Sequence, residues 1–211
     1  MTAFWTLLGP DFAGKSTALA RLRDGHGWQV VSHDDQFVVD YPLVAKLRSC
    51  WIDDALVWTG KRYSAELVLS VMHTVILHQR DAVELLGRQG GSRPIIVDSC
   101  YYKQLAACDL LGVSHAPTFG YWRSFPRPEG VVYLDVPPEV AWERSGRGAR
   151  VSAFEHYGEA VSRWGFVRFQ TDLRARMLAE VGDLPLTMVD GTATPDTVLA
   201  KILSAVGGTA C

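Results

Sequence analysis

A glycine-rich stretch near the start of the chain carries residue types that bind phosphate. Gly9 is followed by four residues and then by Gly14-Lys15-Ser16, which is the full spacing of a P-loop. Glycines at these positions let several backbone N–H groups point at one anion. A lysine beside them reaches the β- and γ-phosphates, and a hydroxyl binds Mg²⁺. The spacing therefore predicts binding of a nucleoside triphosphate together with Mg²⁺.

Carboxylates end two of the apolar runs that follow. Asp34 and Asp35 end one run, and Asp98 ends another, which reads PIIVD. Ligands of parallel-sheet folds bind where the strands end, so Asp98 is a candidate for Mg²⁺, directly or through water. The alternative is a structural acid behind the site. The chain has no NKxD motif of a translation-type GTPase, and Ser99 stands where an ATPase would carry a glutamate.

The apolar runs have the composition of buried strands. Each is followed by a stretch with helical spacing or by turn residues, and this alternation predicts an α/β fold with a parallel sheet covered on both faces. No internal repeat or linker interrupts it, which predicts a single domain over residues 1–211. The predicted strands are residues 3–8, 27–35, 95–98, 131–136 and 185–191.

Apolar residues at helical intervals predict the connecting helices. The longest covers residues 63–88, with its N-terminus near Ser64. A second long candidate covers residues 152–182 and is expected to break near Gly158 or Gly165. Residues 115–130 are expected to form a loop, and a terminal helix is expected to open at Thr194-Pro195.

Three segments have, in order and spacing, the pattern of one known family. They read GPDFAGKST, with Asp11 two residues after the first glycine, then PIIVDSCYYKQLA, and then VVYLDVPPEVAWERSGRG. With them the sequence resembles, over nearly its whole length, the thymidylate kinase group of P-loop kinases, which is close to the deoxynucleoside kinases. The resemblance implies a P-loop NTPase fold with five parallel strands. It also implies transfer of the γ-phosphoryl group of ATP to a nucleotide or nucleoside.

The resemblance also implies roles for individual residues. Asp11 would hydrogen-bond the sugar of the acceptor. Arg144 and Arg147, with Arg150 as a further candidate, would cover ATP from a lid at about 144–153. The stretch ERSGRGAR itself suits this role, because guanidinium groups match the charge on phosphoryl oxygens and glycines permit movement. A solvated basic turn is the alternative.

Two arginines that this family uses for an acceptor phosphate are missing. The family's Asp-Arg-Tyr triplet is Asp98-Ser99-Cys100 here, and the stretch SHDDQF after the second strand has no arginine. A phosphate without cationic partners would be poorly compensated. We therefore expect an acceptor that offers a hydroxyl and carries no phosphate.

A hydroxyl acceptor needs a base, and the end of the second strand is where P-loop nucleoside kinases carry a carboxylate. Asp34 and Asp35 both lie there. Only one of them should face the site if the strand continues, because side chains alternate along a strand. Asp34 is preferred; the alternative is that it caps the next helix.

Aromatic and basic residues flank the expected acceptor region. The aromatic rings could stack on a nucleobase, or they could pack in the core and loops. The basic side chains could restore binding of an acceptor phosphate. The aromatic residues are Trp51, Trp58, Tyr63, Phe119, Tyr121, Trp122 and Phe125, and the basic ones are Lys61, Arg62, Arg123 and Arg127.

The sequence thus predicts an ATP- and Mg²⁺-dependent kinase that phosphorylates a hydroxyl of a nucleoside or similar metabolite. A dTMP kinase and a non-catalytic ATP-binding switch are the alternatives. The predicted catalytic residues are Lys15, Asp34, Arg144 and Arg147; those for ATP are Gly9, Asp11, Ala13, Gly14, Lys15, Ser16, Thr17 and Arg144; those for the acceptor are Asp11, Asp34 and Asp35; and those for Mg²⁺ are Ser16 and Asp98.

Composition limits the partners and the compartment. The net charge of −2 gives no bulk positive field for nucleic acid or an anionic membrane. The four cysteines have no metal-binding spacing and are expected to be free thiols in a reducing compartment. The N-terminus has no signal-peptide features and no apolar run reaches the ~18 residues of a membrane span, so a cytoplasmic protein is expected. The apolar helix at 63–88 is a candidate for a homodimer interface.

Overall fold

A single parallel sheet forms the centre of the computed structural model, which describes residues 2–50, 62–113 and 115–207. The sheet contains β1 (Trp5–Leu8), β2 (Gln29–Val31), β3 (Ile95–Asp98), β4 (Gly130–Asp135) and β5 (Leu186–Asp190). Their order across the sheet is β2-β3-β1-β4-β5, and every pair is parallel. The predicted α/β class with five parallel strands is confirmed.

Helices connect the strands and cover both faces of the sheet. In the described residues they are α1 (Lys15–His26), α2 (Pro42–Ser49), α3 (Ala65–Arg88), α4 (Tyr102–Leu110), α5 (Ala116–Arg123), α6 (Pro138–Arg144), α7 (Arg163–Glu180) and α8 (Pro195–Gly207), with one short 3₁₀ turn at Asp35–Phe37.

The sheet separates two hydrophobic cores. Val131 and Tyr133 of β4 point to a core that contains buried residues of α3, α4, α5 and α7. Val132 and Leu134 point to the opposite core, with buried residues of α1, α6 and α8. Because both faces of the central strands are buried, the ends of β1, β3 and β4 are held at fixed positions.

The long helix α3 begins where the sequence predicts. The Ser64 hydroxyl accepts a hydrogen bond from the backbone N–H of Leu67 at 3.2 Å, which is an N-cap. Its apolar side, from Val68 to Val83, is buried in the core of this chain. The apolar pattern is therefore explained by internal packing and gives no separate support for a dimer interface. The homodimer stays a prediction.

The structure differs from the sequence prediction in the bounds of three segments. β2 stops at Val31, so Asp34 and Asp35 follow the strand rather than end it. α7 begins only at Arg163, because the Ser162 hydroxyl accepts a hydrogen bond from the N–H of Gly165 at 3.1 Å and caps the helix there. The expected loop at 115–130 contains α5, which has a proline in its first turn.

None of the helices in the described part of the chain is long and apolar enough to cross a membrane.

Candidate active site

The loop from β1 to α1 forms a cradle for phosphate, and we call residues 9–17 the phosphate cradle. A Cβ atom on Gly9 would lie 2.7 Å from the carbonyl oxygen of Leu134, so β4 approaches too closely for any side chain there. Gly14 caps α1 with a left-handed φ of 96°, which glycine adopts without strain. Glycine is therefore required at position 9 because there is no space for a side chain, and it is favoured at position 14 because of the backbone conformation.

Lys15 places its ammonium group beneath this loop. Its Nζ donates hydrogen bonds to the carbonyl oxygens of Gly9 at 3.1 Å and Pro10 at 2.9 Å. Burial, and then the nearby ammonium of Lys103, lower the pKa of Lys15 from 10.5 to about 8. A buried ammonium whose hydrogen-bond partners are neutral is suited to an anion supplied from outside the chain.

Asp11 is buried and held on both sides. Lys103 donates to its Oδ1, and Gln170 donates from Nε2 to its Oδ2 at 2.9 Å. The backbone N–H of Asp11 in turn donates to Oε1 of Gln170 at 3.1 Å. Burial disfavours the charged carboxylate, but the ammonium groups of Lys103 and Lys15 outweigh it and hold the pKa of Asp11 below its usual value.

Asp34 and Asp35 both line the cavity of the site, but their side chains make different contacts. The Ser16 hydroxyl donates to Oδ2 of Asp34 at 2.5 Å. The Asp35 side chain is 77% exposed and contacts Arg48 at 2.7 Å. Asp34 precedes the 3₁₀ turn, yet its side chain makes no capping hydrogen bond. The hydrogen bond to Ser16 favours Asp34 over Asp35, and the preference for Asp34 stays a prediction. The two side chains differ because of the turn after β2 and not because of strand alternation.

Asp98 ends β3 beside β1, where its register partner is Leu7. The hydroxyls of Ser32 and Ser99 donate to its two carboxylate oxygens, each at 2.9 Å. Ser99 and Cys100 both have left-handed φ angles, 59° and 47°, which are strained for residues with a side chain. This tight turn connects the carboxyl end of β3 to the start of α4 at Tyr102.

The predicted magnesium ligands fit an ion that arrives with a polyphosphate. Mg²⁺ usually takes one or two protein ligands in such sites and completes its shell with phosphate oxygens and water. The Ser16 hydroxyl and the carboxylates of Asp34 and Asp98 line one cavity. Among the described residues, no group of three acidic, histidine or cysteine side chains could hold a metal ion unaided.

The predicted lid brings two of its arginines to the cavity. Arg144, at the end of α6, donates to the carbonyl oxygen of Gly191 at 2.9 Å and to those of Phe12 and Ala13 at 3.4 Å. Arg150 donates to the carbonyl oxygen of Arg144. The side chain of Arg147 is 78% exposed and pairs with Glu143 on α6. The structure therefore does not bring Arg147 into the cavity, and its catalytic role stays a prediction.

These residues surround one cavity of about 830 Å³. One wall is the phosphate cradle. Five further charged residues, which we call the charged wall, line the same cavity: Asp34, Arg48, Asp98, Lys103 and Glu155. Two of them bond to the cradle directly, Asp34 to Ser16 and Lys103 to Asp11. A second cavity of about 260 Å³ lies on the other side of Gly14 and Thr17, between Arg144 and the loop from β5 to α8.

The flanking aromatic residues do not line the cavity in the described part of the chain. Phe119, Trp122 and Phe125 are buried in the core, so packing explains them. Tyr63 packs partly buried against the same core, and Tyr121 is exposed on the surface. The rings that line the cavity are Phe12, His33 and Phe154.

The basic residues expected near an acceptor phosphate lie elsewhere. Arg123 pairs with Glu180, and Arg127 pairs with Asp183. Arg62 is exposed. Trp51, Trp58 and Lys61 fall outside the described residues, so those expectations stay untested.

The sequence interpretation missed several residues of the site, among them Arg48, Lys103, Glu155 and Gln170. Arg48 reaches Asp34 at 3.4 Å from α2, although the stretch after β2 itself has no arginine. Glu155 is held by the backbone N–H of Ser152 at 2.9 Å, and burial, then Asp11, raise its pKa to about 8. The only signal for Lys103 was its place five residues after Asp98, inside a segment that had already been singled out.

Comparison with known proteins supports the fold. The chain matched no protein-family model and no curated protein. Among solved structures it is similar to the deoxyadenosine kinase from M. mycoides with bound dATP, with a TM-score of 0.57 and 17% sequence identity, over 96% of this chain and 98% of that one. Identity at this level shows a shared fold and not a shared activity. The chain therefore has the fold of a P-loop kinase, in agreement with the sequence prediction.

Proposed function

We propose that the protein is an ATP- and Mg²⁺-dependent kinase that transfers the γ-phosphoryl group to a hydroxyl of a nucleoside or a similar small metabolite. One observation carries the proposal. The phosphate cradle, with the buried ammonium of Lys15, and the carboxylates of Asp34 and Asp98 line one cavity of about 830 Å³. That volume is in the range of sites that enclose small molecules, about 300–1,000 Å³.

The donor nucleotide would lie along the phosphate cradle. Backbone N–H groups and the N-terminus of α1 favour its phosphates, and Lys15 would exchange its carbonyl partners for phosphate oxygens. The smaller cavity beside Gly14 and Thr17 would take the base, with Arg144 on one side of it. Arg144 now donates to three backbone carbonyl oxygens, so it is already held over the cradle.

The acceptor would lie against the charged wall with its hydroxyl near Asp34. In the transfer, a bond forms between the acceptor oxygen and the γ-phosphorus, and the bond to the oxygen that bridges the β- and γ-phosphates breaks. The hydroxyl proton passes to Asp34, and the electron pair of the broken bond leaves on ADP. Mg²⁺, held with the phosphates near Ser16, Asp34 and Asp98, would neutralise charge on the transferred group. Asp11 would position the acceptor from the other side.

A second candidate is a nucleoside monophosphate kinase, such as a dTMP kinase. The sequence argued against it because the two arginines that the family uses for an acceptor phosphate are missing. Two cations that the sequence interpretation did not include, Arg48 and Lys103, line the cavity. The terminal nitrogens of Arg48 pair with Asp34 and Asp35, and its Nε is buried without a hydrogen-bond partner in the described part of the chain. The guanidinium therefore keeps unused N–H donors, which supports a contact with an acceptor phosphate.

An acceptor panel tests the proposal. The protein is incubated with Mg·ATP and, one at a time, ribo- and deoxynucleosides, their monophosphates including dTMP, and hydroxylated metabolites. ADP formation and the mass of the product are measured, and Lys15→Ala serves as the inactive control. We expect a nucleoside or hydroxylated metabolite to gain one phosphoryl group.

The other outcomes are informative as well. Turnover of monophosphates far above that of any nucleoside would establish the second candidate. Tight binding of Mg·ATP without any transfer across the panel would favour a non-catalytic ATP-binding switch. If Mg·ATP does not bind at all, the proposed function is wrong.

A further inference from the structure

We propose that Lys103 is a further catalytic residue of this site, whose ammonium group binds the transferring γ-phosphoryl group together with Lys15. The proposal rests on the proposed kinase function and adds to it. None of the motifs used to predict the function contains this residue as a functional position.

The position of Lys103 is set by the strained turn after β3. Ser99 and Cys100 are both left-handed, and the N–H of Ser99 donates to the carbonyl oxygen of Leu7 at 2.9 Å. This turn begins α4 at Tyr102, so that Lys103 lies in the first turn of the helix and faces the phosphate cradle. Backbone strain of this kind persists where the surrounding structure imposes it, and it is common at functional sites.

The charges around Lys103 suit a shared anion. Lys103 and Lys15 line the same cavity, and Lys103 pairs with Asp11, which belongs to the same loop as Lys15. The two cations therefore repel each other in this structure. A phosphoryl group between them would replace that repulsion with two attractive contacts, at a depth where electrostatic interactions are strong.

Asp11 holds the ammonium ready for this contact. Lys103 pairs with Oδ1 of Asp11, and Gln170 fixes the other carboxylate oxygen. Burial opposes the charge on Lys103, but Asp11, and then Glu155, outweigh it and keep the pKa of Lys103 above its usual value. The ammonium therefore stays protonated during transfer. It gives up no proton, since the hydroxyl proton goes to Asp34, and it acts only by compensating charge on the γ-phosphoryl oxygens.

No arginine of the described residues can serve in its place from the β3 edge. The triplet that ends β3 is Asp98-Ser99-Cys100, without a cation. Arg48, on the far side, has its two terminal nitrogens engaged by Asp34 and Asp35. Lys103 is thus the cation that the β3–α4 segment contributes to the cavity.

Binding measurements with three probes test whether Lys103 contacts the transferring phosphoryl group or serves only as a structural partner of Asp11. Affinities for Mg·ADP, Mg·ATP and Mg·ADP with aluminium fluoride, a mimic of the transferring group, are measured by calorimetry. The variants are Lys103→Ala, Lys103→Gln, which keeps a hydrogen-bond donor for Asp11 without the charge, and Lys103→Arg, which keeps the charge. Lys201→Ala, on the exposed side of α8, is the matched control.

We expect the loss of affinity in Lys103→Ala and Lys103→Gln to grow with the γ-group. The loss of affinity should be within about threefold for Mg·ADP, about tenfold for Mg·ATP and about 100-fold for the aluminium fluoride complex. The last value is the size of effect expected when one hydrogen-bond donor that stabilises a transition state is removed. Lys103→Arg should lose less, and Lys201→Ala should match the wild type. If Lys103→Ala fails to fold, the comparison rests on Lys103→Gln, where Asp11 keeps a partner.

Equal changes for all three probes, or none, would overturn the role of Lys103 while leaving the kinase proposal intact, provided that the wild type prefers Mg·ATP to Mg·ADP. A wild-type protein that binds none of the three would overturn both.

Discussion

The phosphate cradle and the charged wall line one cavity, yet they are built in different ways. The cradle is nine consecutive residues that run from the end of β1 into the first turn of α1. Its geometry depends on the close approach of β4 to Gly9 and on the left-handed backbone of Gly14. The charged wall takes its residues from distant parts of the chain: Asp34, Arg48, Asp98, Lys103 and Glu155.

The two regions also differ in how their charges are compensated. The ammonium of Lys15 in the cradle donates to two carbonyl oxygens, so none of these hydrogen-bond partners carries a negative charge. In the wall, Arg48 pairs with Asp34, and Asp98 accepts from two hydroxyls. The cradle is therefore preorganised for an anion, whereas the wall must exchange some of its own contacts for those of an acceptor. Chemistry that depends on the wall should be the more sensitive to single side chains.

The largest effect is expected from the wall, at Asp34. Asp34→Asn removes the proposed base and should lower turnover by about 10²–10⁴-fold, while the affinity for Mg·ATP changes much less. Asp35→Asn is the matched control, because the neighbouring carboxylate is exposed, and it should stay within about threefold of the wild type. Turnover is measured with the acceptor that the panel identifies, and with water as acceptor if none is found. Equal losses in the two variants would remove the distinction between them.

The next largest effect is expected from Gln170, whose hydrogen bonds connect the phosphate cradle to the charged wall. The amide of Gln170 on α7 bonds to the N–H and the carboxylate of Asp11, and also to the carbonyl oxygen of Glu155. Gln170→Leu leaves these buried groups without a partner and should lower the free energy of unfolding by about 2–3 kcal/mol. Urea unfolding measures this loss. The matched control is Gln89→Leu, at the exposed end of α3, which should change the free energy of unfolding by less than about 0.5 kcal/mol. An equally small change in Gln170→Leu would show that the hydrogen bonds of Gln170 do not stabilise the protein.

The same contrast decides what the sequence could predict. The cradle is local, so its spacing identified Gly9, Lys15 and Ser16 and the fold around them. Asp98 and Asp34 were found because each follows an apolar strand. The order of strands and helices was equally visible, since hydrophobic periodicity acts over neighbouring residues.

Contacts between distant residues were not visible in the sequence. The hydrogen bond from Lys103 to Asp11 spans 92 positions, and that from Gln170 to Asp11 spans 159. No spacing rule connects residues so far apart, because the fold alone brings them together. The lack of an arginine after β2 led to the expectation of an acceptor without a phosphate. Arg48, which reaches Asp34 from the following helix, is a cation of the site that this step did not consider.

A smaller effect is expected in the lid, where the cradle meets the arginines of the α6–α7 connection. Arg144→Ala should weaken Mg·ATP about tenfold, which is roughly 1.4 kcal/mol, because Arg144 lies over the cradle. Arg147→Ala should weaken it less than about threefold, since Arg147 points to solvent and pairs with Glu143. Calorimetry with Mg·ATP measures both. A larger loss in Arg147→Ala would indicate that this arginine turns inward when nucleotide binds, as the sequence resemblance implies.

The smallest effect is a pH dependence of stability that arises in the wall. Burial, then the carboxylate of Asp11, raise the pKa of Glu155 from 4.5 to about 8, against the opposing ammonium of Lys103. A group with a raised folded-state pKa stabilises the protein fully below pH 4.5, and this contribution is lost as the pH rises toward 8. The free energy of unfolding of the wild type should therefore fall by about 1 kcal/mol more between pH 7 and pH 8 than that of Glu155→Gln, since each unit of pKa shift is worth about 1.4 kcal/mol and part of the folded protein is already ionised near pH 8. Urea unfolding at the two pH values measures the difference. Identical slopes would mean that Glu155 is ionised in the folded protein at neutral pH, and the charged wall would then carry one more negative charge opposite the cradle.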